Sequence, residues 1–150
     1  MTTTTATPTE ELIPPKEPRE WSLAQIERVL SRPIPNSMLR TKEIKGNKIT
    51  YLPWYVANRI LTKYAPGWTF EVTKFEIGRD RVFLVGRLTI PTSEGNVYRE
   101  ATGTELLKDT DRNGQPKEIA YGDPSSKAES MAFRRCCARF GLGLYLYDHK

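Results

Sequence analysis

The spacing of apolar residues predicts two helices in the first half of the chain. Apolar positions recur every three to four residues over about 22–31, where Ser22 and Gln25 form a capping box. Pro53 opens a second helix at its first turn, and this helix ends near residues 66–67. Residues 32–50 are predicted to connect the two helices, and they are rich in cations: Arg32, Arg40, Lys42, Lys45 and Lys48.

From Trp68 onwards the apolar period changes to two, which predicts β-strands. Three such runs, WTFEVTKFEI, RVFLVGRLTI and VYREATGTELL, are separated by short turn segments at 78–80 and 91–96. Strands joined by turns this short form an antiparallel meander. A polar loop over 108–122 follows the third strand, and we expect it to be mobile.

A last helix is predicted to start at Asp123 and Pro124, run to about Phe140 and end at Gly141, a C-cap glycine. Residues 142–148, LGLYLYD, are predicted to form a short final strand or extended segment. The resulting fold class is α+β, with a three-stranded antiparallel meander and packed helices around a β-β-β-α core. We expect one domain over 21–150, behind a disordered tail over 1–20 that combines a threonine run with four prolines.

Charge and composition limit the classes of function that the sequence allows. The net charge of +5 becomes +7 for residues 21–150, because the tail holds two cations and four acidic residues. Such a field attracts nucleic acid, anionic lipid or acidic protein. No apolar run is long enough to cross a membrane, and the N-terminus has no secretory signal. Two adjacent cysteines and the single His149 exclude a disulfide framework and a zinc site, so we expect no metal, no cofactor and a reducing, cytoplasmic, nucleoid-associated location.

The last helix carries the clearest candidate site. At about 100° per residue, four cations fall on one side of the helical wheel: Lys127, Arg134, Arg135 and Arg139. The opposite side is apolar and suits packing on the sheet: Phe133, Cys136, Cys137 and Phe140. Only small or unbranched side chains lie between the cations: Ala128, Met131 and Ala138. An extended polyanion such as a nucleic-acid strand could therefore approach this face closely, although an ordinary solvated face is an equally good interpretation.

Aromatic residues beside the basic connection add further candidates. Tyr51, next to Lys48, is predicted to be an exposed platform on which bases could stack. Trp54 and Trp68 are predicted to pack in the core. Motifs of ATP-binding loops and of nucleophilic catalysis are lacking, so no enzyme is expected; a metal-dependent nuclease using acidic pairs such as Asp109 and Asp111 remains a minor alternative.

The stretches YLPWYVANRILTKYAPGW and KAESMAFRRCCARFGLG, with the meander between them, resemble the single-strand annealing proteins of the Rad52 superfamily. The resemblance covers roughly residues 21–148. Within the superfamily, the chain is most similar to the short bacterial, cyanobacterial and phage branch that includes the DNA-damage-response protein DdrA. It implies a ring or arc of subunits whose basic groove holds single-stranded DNA with its bases exposed, so that annealing needs no ATP. The basic pair of that groove carries over onto Arg134 and Arg135.

A second groove arginine of the family does not carry over cleanly, because Trp54 stands near its place and Lys48 or Arg59 is the nearest cation. The candidate DNA-binding residues are therefore Arg134, Arg135, Lys127, Arg139, Lys48, Lys45, Tyr51 and Arg59. The expected function is annealing or end protection in recombination and double-strand-break repair. Expected partners are single-stranded DNA and further copies of the chain, and a single-strand-binding protein is a further candidate. An RNA- or protein-binding scaffold using the same basic face is the alternative.

Overall fold

Three long strands form the antiparallel sheet that the period of two predicts. The computed structural model describes residues 13–110, 113–114, 116–118 and 124–148. Its elements follow in chain order: α1 (Leu23–Leu30), β1 (Arg40–Ile44), β2 (Asn47–Tyr51), α2 (Trp54–Tyr64), β3 (Thr69–Ile77), β4 (Arg81–Thr92), β5 (Gly95–Leu106), β6 (Lys108–Thr110), β7 (Pro116–Glu118) and α3 (Pro124–Arg139). Two 3₁₀ helices lie at Asn36–Met38 and Leu144–Tyr147.

The order of the main sheet is β3-β4-β5, with antiparallel pairing throughout. Alternate residues of β4, from Val82 to Thr92, are buried, and their neighbours are half-buried. The buried face lies under α3, which packs on β4 and β5. This arrangement is the α+β fold predicted from the sequence, and the predicted sheet and packed helices are confirmed.

Small residues let α3 lie close to the sheet. A Cβ atom at Gly103 of β5 would lie only 1.8 Å from the backbone oxygen of Ala128. Phe133, Cys136 and Phe140 of α3 join one core with residues of the sheet and of α1 and α2. The helix is therefore covered by the sheet on one side and by other elements elsewhere, which positions its remaining exposed side chains.

The first helix has the predicted capping box. The Ser22 hydroxyl accepts a hydrogen bond from Gln25 N at 3.2 Å, and the Gln25 side chain accepts one from Ser22 N at 2.8 Å. Glu94 in the β4–β5 turn accepts a further hydrogen bond from Leu23 N at 3.1 Å. This end of the sheet is thereby tied to the start of α1.

Residues 32–50 differ from the prediction, because they are not merely a connection. They contain a 3₁₀ turn and a β1–β2 hairpin closed by Lys45 and Gly46, which both have positive φ. Positive φ at both central residues is the geometry that matches a two-residue turn to the twist of its strands. The hairpin extends from the body with exposed side chains along most of its length.

Two other predictions about local structure need correction or stay open. Residues 142–148 do not form a final strand, because Leu144–Tyr147 are a 3₁₀ helix that follows Gly143 with its φ of 75°. The loop predicted over 108–122 contains the two-stranded β6–β7 ladder. Its residues 111–112, 115 and 119–122, the proposed helix cap Asp123, residues 1–12 of the proposed tail, and His149 lie outside the described residues.

Candidate nucleic-acid interface

Tyr51, the last residue of β2, lies where the hairpin meets α3. The guanidinium carbon of Arg134 is 5.4 Å from the centre of its ring, and Lys42 Nζ is 4.9 Å from the same point. Lys42 reaches the ring because it is the diagonal cross-strand neighbour of Tyr51, whose direct partner is Arg40. Two cations thus converge on one aromatic ring, which holds them in place through cation–π attraction.

Like charge surrounds Lys42. Partial burial lowers the pKa of Lys42, and the nearby positive charges of Arg134 and Lys127 lower it further, whereas Glu105 acts in the opposite direction. In the part of the chain that the structure describes, no carboxylate forms an ion pair with any of these three cations. Lys42, Tyr51, Lys127 and Arg134 therefore form a surface, here called the hairpin cluster, on which a bound anion would relieve electrostatic repulsion.

The other two arginines of α3 point to a different place. Arg135 Nη1 donates a hydrogen bond to the backbone oxygen of Thr102 in β5 at 3.1 Å. Arg139 lines the same open cleft of about 790 Å³, and its backbone oxygen accepts a hydrogen bond from Arg99 at 2.7 Å. Arg99 is itself paired with Glu27 at 2.6 Å. The cleft is thus a second basic surface, partly neutralised by carboxylates.

The prediction of one continuous basic face on α3 is therefore wrong. Ala128 and Ala138, which lie between the cations on the wheel, are buried rather than exposed. The physical reason is that α3 packs against the sheet and other elements on more than one side, so its cations leave the helix in separate directions. Arg134 and Lys127 lie on the hairpin side, and Arg135 and Arg139 on the β5 side.

The remaining predicted site residues lie around the hairpin cluster without joining it. Lys48 pairs with Glu43 across the hairpin, on the face opposite to Tyr51, and Lys45 lies in the turn. Arg59 of α2 lies 5.6 Å from the ring of Tyr55. The structure thus brings Arg134, Tyr51 and Lys127 into one region and Arg135 and Arg139 into a second cleft, and it leaves Lys45, Lys48 and Arg59 outside both.

Lys42 is the site residue that the sequence-based prediction missed. Its place follows from the hairpin register, and the signal for that hairpin was the Lys-Gly turn between two alternating runs. The prediction that Trp54 packs in the core is also wrong, because its side chain is 49% exposed. Trp68 does pack against the core, with its ring centre 5.6 Å from that of Phe133.

Both cysteines of α3 are buried, as predicted. Burial raises the pKa of Cys136 to about 11 and the pKa of Cys137 well above its ordinary value. Thiols of this kind are protonated and unreactive near neutral pH.

Among the described residues there is no group of three or more His, Cys, Asp or Glu side chains suited to a metal ion. None of the described helices is both long and apolar enough to cross a membrane.

Fold and site together define an α+β domain with an exposed surface on which cations surround an aromatic ring. The chain matches the family model of the Rad52/22 family double-strand break repair protein over residues 22–150. It is also 41% identical to two proteins of Arabidopsis thaliana, the DNA repair RAD52-like protein 1, mitochondrial, and the DNA repair RAD52-like protein 2, chloroplastic. Both matches span 83% of this chain, and they cover 67% and 60% of the two relatives. The chain belongs to the Rad52/22 family.

These comparisons correct one prediction and leave another open. The expected cytoplasmic, nucleoid-associated location is wrong, since both relatives are named for organelles, the mitochondrion and the chloroplast. The Rad52 superfamily is confirmed. The resemblance to its short bacterial and phage branch stays a prediction.

Proposed function

We propose that the chain binds single-stranded DNA at the hairpin cluster and anneals complementary strands without ATP. The observation that carries this proposal is the convergence of Lys42 and Arg134 on Tyr51, with Lys127 close by and no carboxylate among the described residues paired with them. Phosphates of a strand would replace repulsion between these cations with attraction and release counterions. The Tyr51 ring holds Lys42 and Arg134 at the place where these phosphates would bind.

A homo-oligomer is the proposed working unit, because the sheet leaves an apolar surface uncovered. Phe75 and Ile77 of β3 pair with Leu84 and Val82 and so lie on the same face of the sheet as those buried residues. They are nevertheless 49% and 65% exposed, since α3 covers β4 and β5. A neighbouring subunit that covers β3 would bury this surface and also pair its free edge. Repetition of the hairpin cluster around such an assembly gives a continuous basic track.

The proposal predicts the outcome of two combined measurements. Light scattering is expected to give a mass several times the 17.2 kDa of the chain. Mixed complementary oligonucleotides are expected to anneal faster with the protein than without it, in the absence of ATP and of added magnesium. A monomer that does not accelerate annealing would contradict the proposal. Equal affinity for RNA and DNA without annealing would favour the scaffold alternative, and degradation of the strands with magnesium would favour a nuclease.

A charged substitution on β3 tests the proposed assembly. Phe75→Glu combined with Ile77→Glu is expected to reduce the mass to that of a single chain, because two buried carboxylates of like charge have no partner and oppose association. The circular dichroism spectrum should keep its shape, since both side chains are largely exposed within one subunit. Tyr98→Lys is the matched control, because Tyr98 is 56% exposed on the opposite face of the sheet. An unchanged mass for the double variant would exclude β3 from the interface.

Lys42 predicts a pH dependence of DNA binding. A bound phosphate favours the charged ammonium, so binding raises the lowered pKa of Lys42 and takes up protons. Affinity should therefore fall as the pH rises through that lowered pKa. Lys42→Arg should remove the part of the affinity loss that comes from deprotonation of Lys42, because a guanidinium stays protonated over this pH range. Fluorescence anisotropy with a labelled oligonucleotide from about pH 7.5 to about 10 measures it; identical profiles for both proteins would exclude Lys42 from the site.

A further inference from the structure

A cavity with aromatic walls lies between α2, β3 and α3. Its volume is about 350 Å³, at the lower end of the range for small-molecule sites. Trp68, Phe70 and Phe133 form its inner wall, where Phe133 meets Trp68 at 5.6 Å and Phe70 at 5.2 Å between ring centres. The Trp68 indole is held by a hydrogen bond of 3.0 Å to the Thr62 hydroxyl. The wall is thus a fixed set of aromatic faces.

The mouth of the cavity combines an exposed aromatic with polar groups. Trp54, at the start of α2, lines the cavity while 49% of its side chain is exposed. Asn58 adds an amide, and Glu129 and Ser130 add a carboxylate and a hydroxyl. Apolar walls with a few hydrogen-bonding groups suit a flat heterocycle that carries donors and acceptors on its edge.

The cavity adjoins the hairpin cluster. Ser130 lies four residues before Arg134 and three after Lys127 on the same helix, and residues at these spacings are neighbours about 5–6 Å apart. Trp54 follows Tyr51 after only Leu52 and Pro53. Cations that suit a phosphate therefore lie on the same helix as the polar residues of the cavity, one helical turn away from Ser130.

We propose that this cavity receives one nucleobase of the bound strand in each subunit, stacked against Trp54 and the inner aromatic wall. This inference rests on the proposed binding of single-stranded DNA and adds a defined base contact to it. Stacking on aromatic faces accepts any base, so it does not restrict the sequences that are bound. A single captured base per subunit fixes the register of the strand and leaves the other bases free to pair.

A thermodynamic cycle tests the proposal. The affinities of the parent protein and of Trp54→Ala are measured for an oligo(dT) and for an oligonucleotide of the same length made of abasic sites. The parent is expected to bind the abasic strand at least about fivefold more weakly, since stacking contributes about 1–3 kcal/mol per base. Trp54→Ala should lose most of that difference. Tyr98→Ala, which removes a comparably exposed ring elsewhere, should keep this difference.

Two further variants separate the possible outcomes. Ser130→Leu fills the cavity and should also remove the difference between the two strands, which preserves the test if Trp54→Ala does not fold. Lys42→Ala should weaken binding of both strands by the same factor. An unchanged base dependence in Trp54→Ala and Ser130→Leu overturns the cavity proposal while leaving single-strand binding intact. If the base dependence is unchanged and the oligomeric mass of these variants is altered, the cavity contacts a neighbouring subunit and not a base, which also overturns the proposal. Failure of the parent to bind either strand overturns the proposed function itself.

Discussion

Replacing Arg134 and Arg135 together with alanine is expected to weaken single-strand binding at least tenfold while the oligomeric mass stays the same. Hydrogen bonds to charged groups contribute about 1.5–3 kcal/mol each, and about 1.4 kcal/mol corresponds to a factor of ten, so the loss of the phosphate contact of Arg134 is sufficient for this effect. Arg134 should account for most of the effect, because it lies over Tyr51 and no described carboxylate pairs with it. Arg135 is already engaged with the backbone of Thr102.

The salt dependence distinguishes lost phosphate contacts from a damaged fold. Each lost contact to a single strand should reduce the slope of log affinity against log salt concentration by about 0.7. In a variant that is only less stable, the folded molecules should bind with the same dependence of log affinity on log salt concentration as the parent. Arg79→Ala is the matched control, since Arg79 is an exposed arginine in the turn between β3 and β4 and should leave both affinity and slope unchanged. A double variant that binds as tightly as the parent would place the DNA on another surface.

The periodic part of the sequence was sufficient to predict the sheet and the helices. In β4, a buried residue follows a half-buried one from Val82 to Thr92, and this alternation is directly visible in the apolar pattern. The capping box at Ser22 and the glycine at position 141 mark helix ends by their own chemistry. Such features are local, so neighbouring residues are enough to recognise them.

The β1–β2 hairpin could not be predicted in the same way, because it has no buried face. The apolar alternation of β2 is limited to the half-buried Ile49 and Tyr51, so the turn at Lys45 and Gly46 is the main sequence feature that indicates the two strands. The helical-wheel prediction of one basic face on α3 was wrong for a related reason. A wheel assigns one exposed side, whereas the surroundings of α3 bury Ala128 and Ala138 as well as its apolar side. Lys42 and Arg134 meet only through this tertiary arrangement.

Gly103→Ala is expected to be the most destabilising single methyl addition in the sheet. The new Cβ would lie 1.8 Å from the oxygen of Ala128 and 3.0 Å from the backbone nitrogen of Ala132. Both are backbone atoms of α3, so the helix itself must move rather than a flexible side chain. Overpacking of cores usually costs 1–3 kcal/mol, and a clash with a rigid helix belongs at or above the upper end, about 3 kcal/mol.

Thermal unfolding measures this effect, and Gly78→Ala provides the matched control. At Gly78 the nearest neighbour of a new Cβ is the backbone oxygen of Arg81 at an ordinary 3.6 Å, so the same substitution should change the unfolding temperature little. For Gly103→Ala, a loss of about 3 kcal/mol corresponds to a decrease of about 6–12 °C. An unchanged unfolding temperature would mean that α3 lies farther from β5 than described.

The consequence of Gly103→Ala for DNA binding follows from the same contact. If α3 shifts away from β5, Arg134 moves relative to Tyr51, since one is carried by the helix and the other by the hairpin. Single-strand affinity should then fall even at temperatures where the variant is fully folded. A folded variant with lower stability and unchanged affinity would show that phosphate binding tolerates displacement of the helix, and would contradict a site defined by Arg134 on Tyr51.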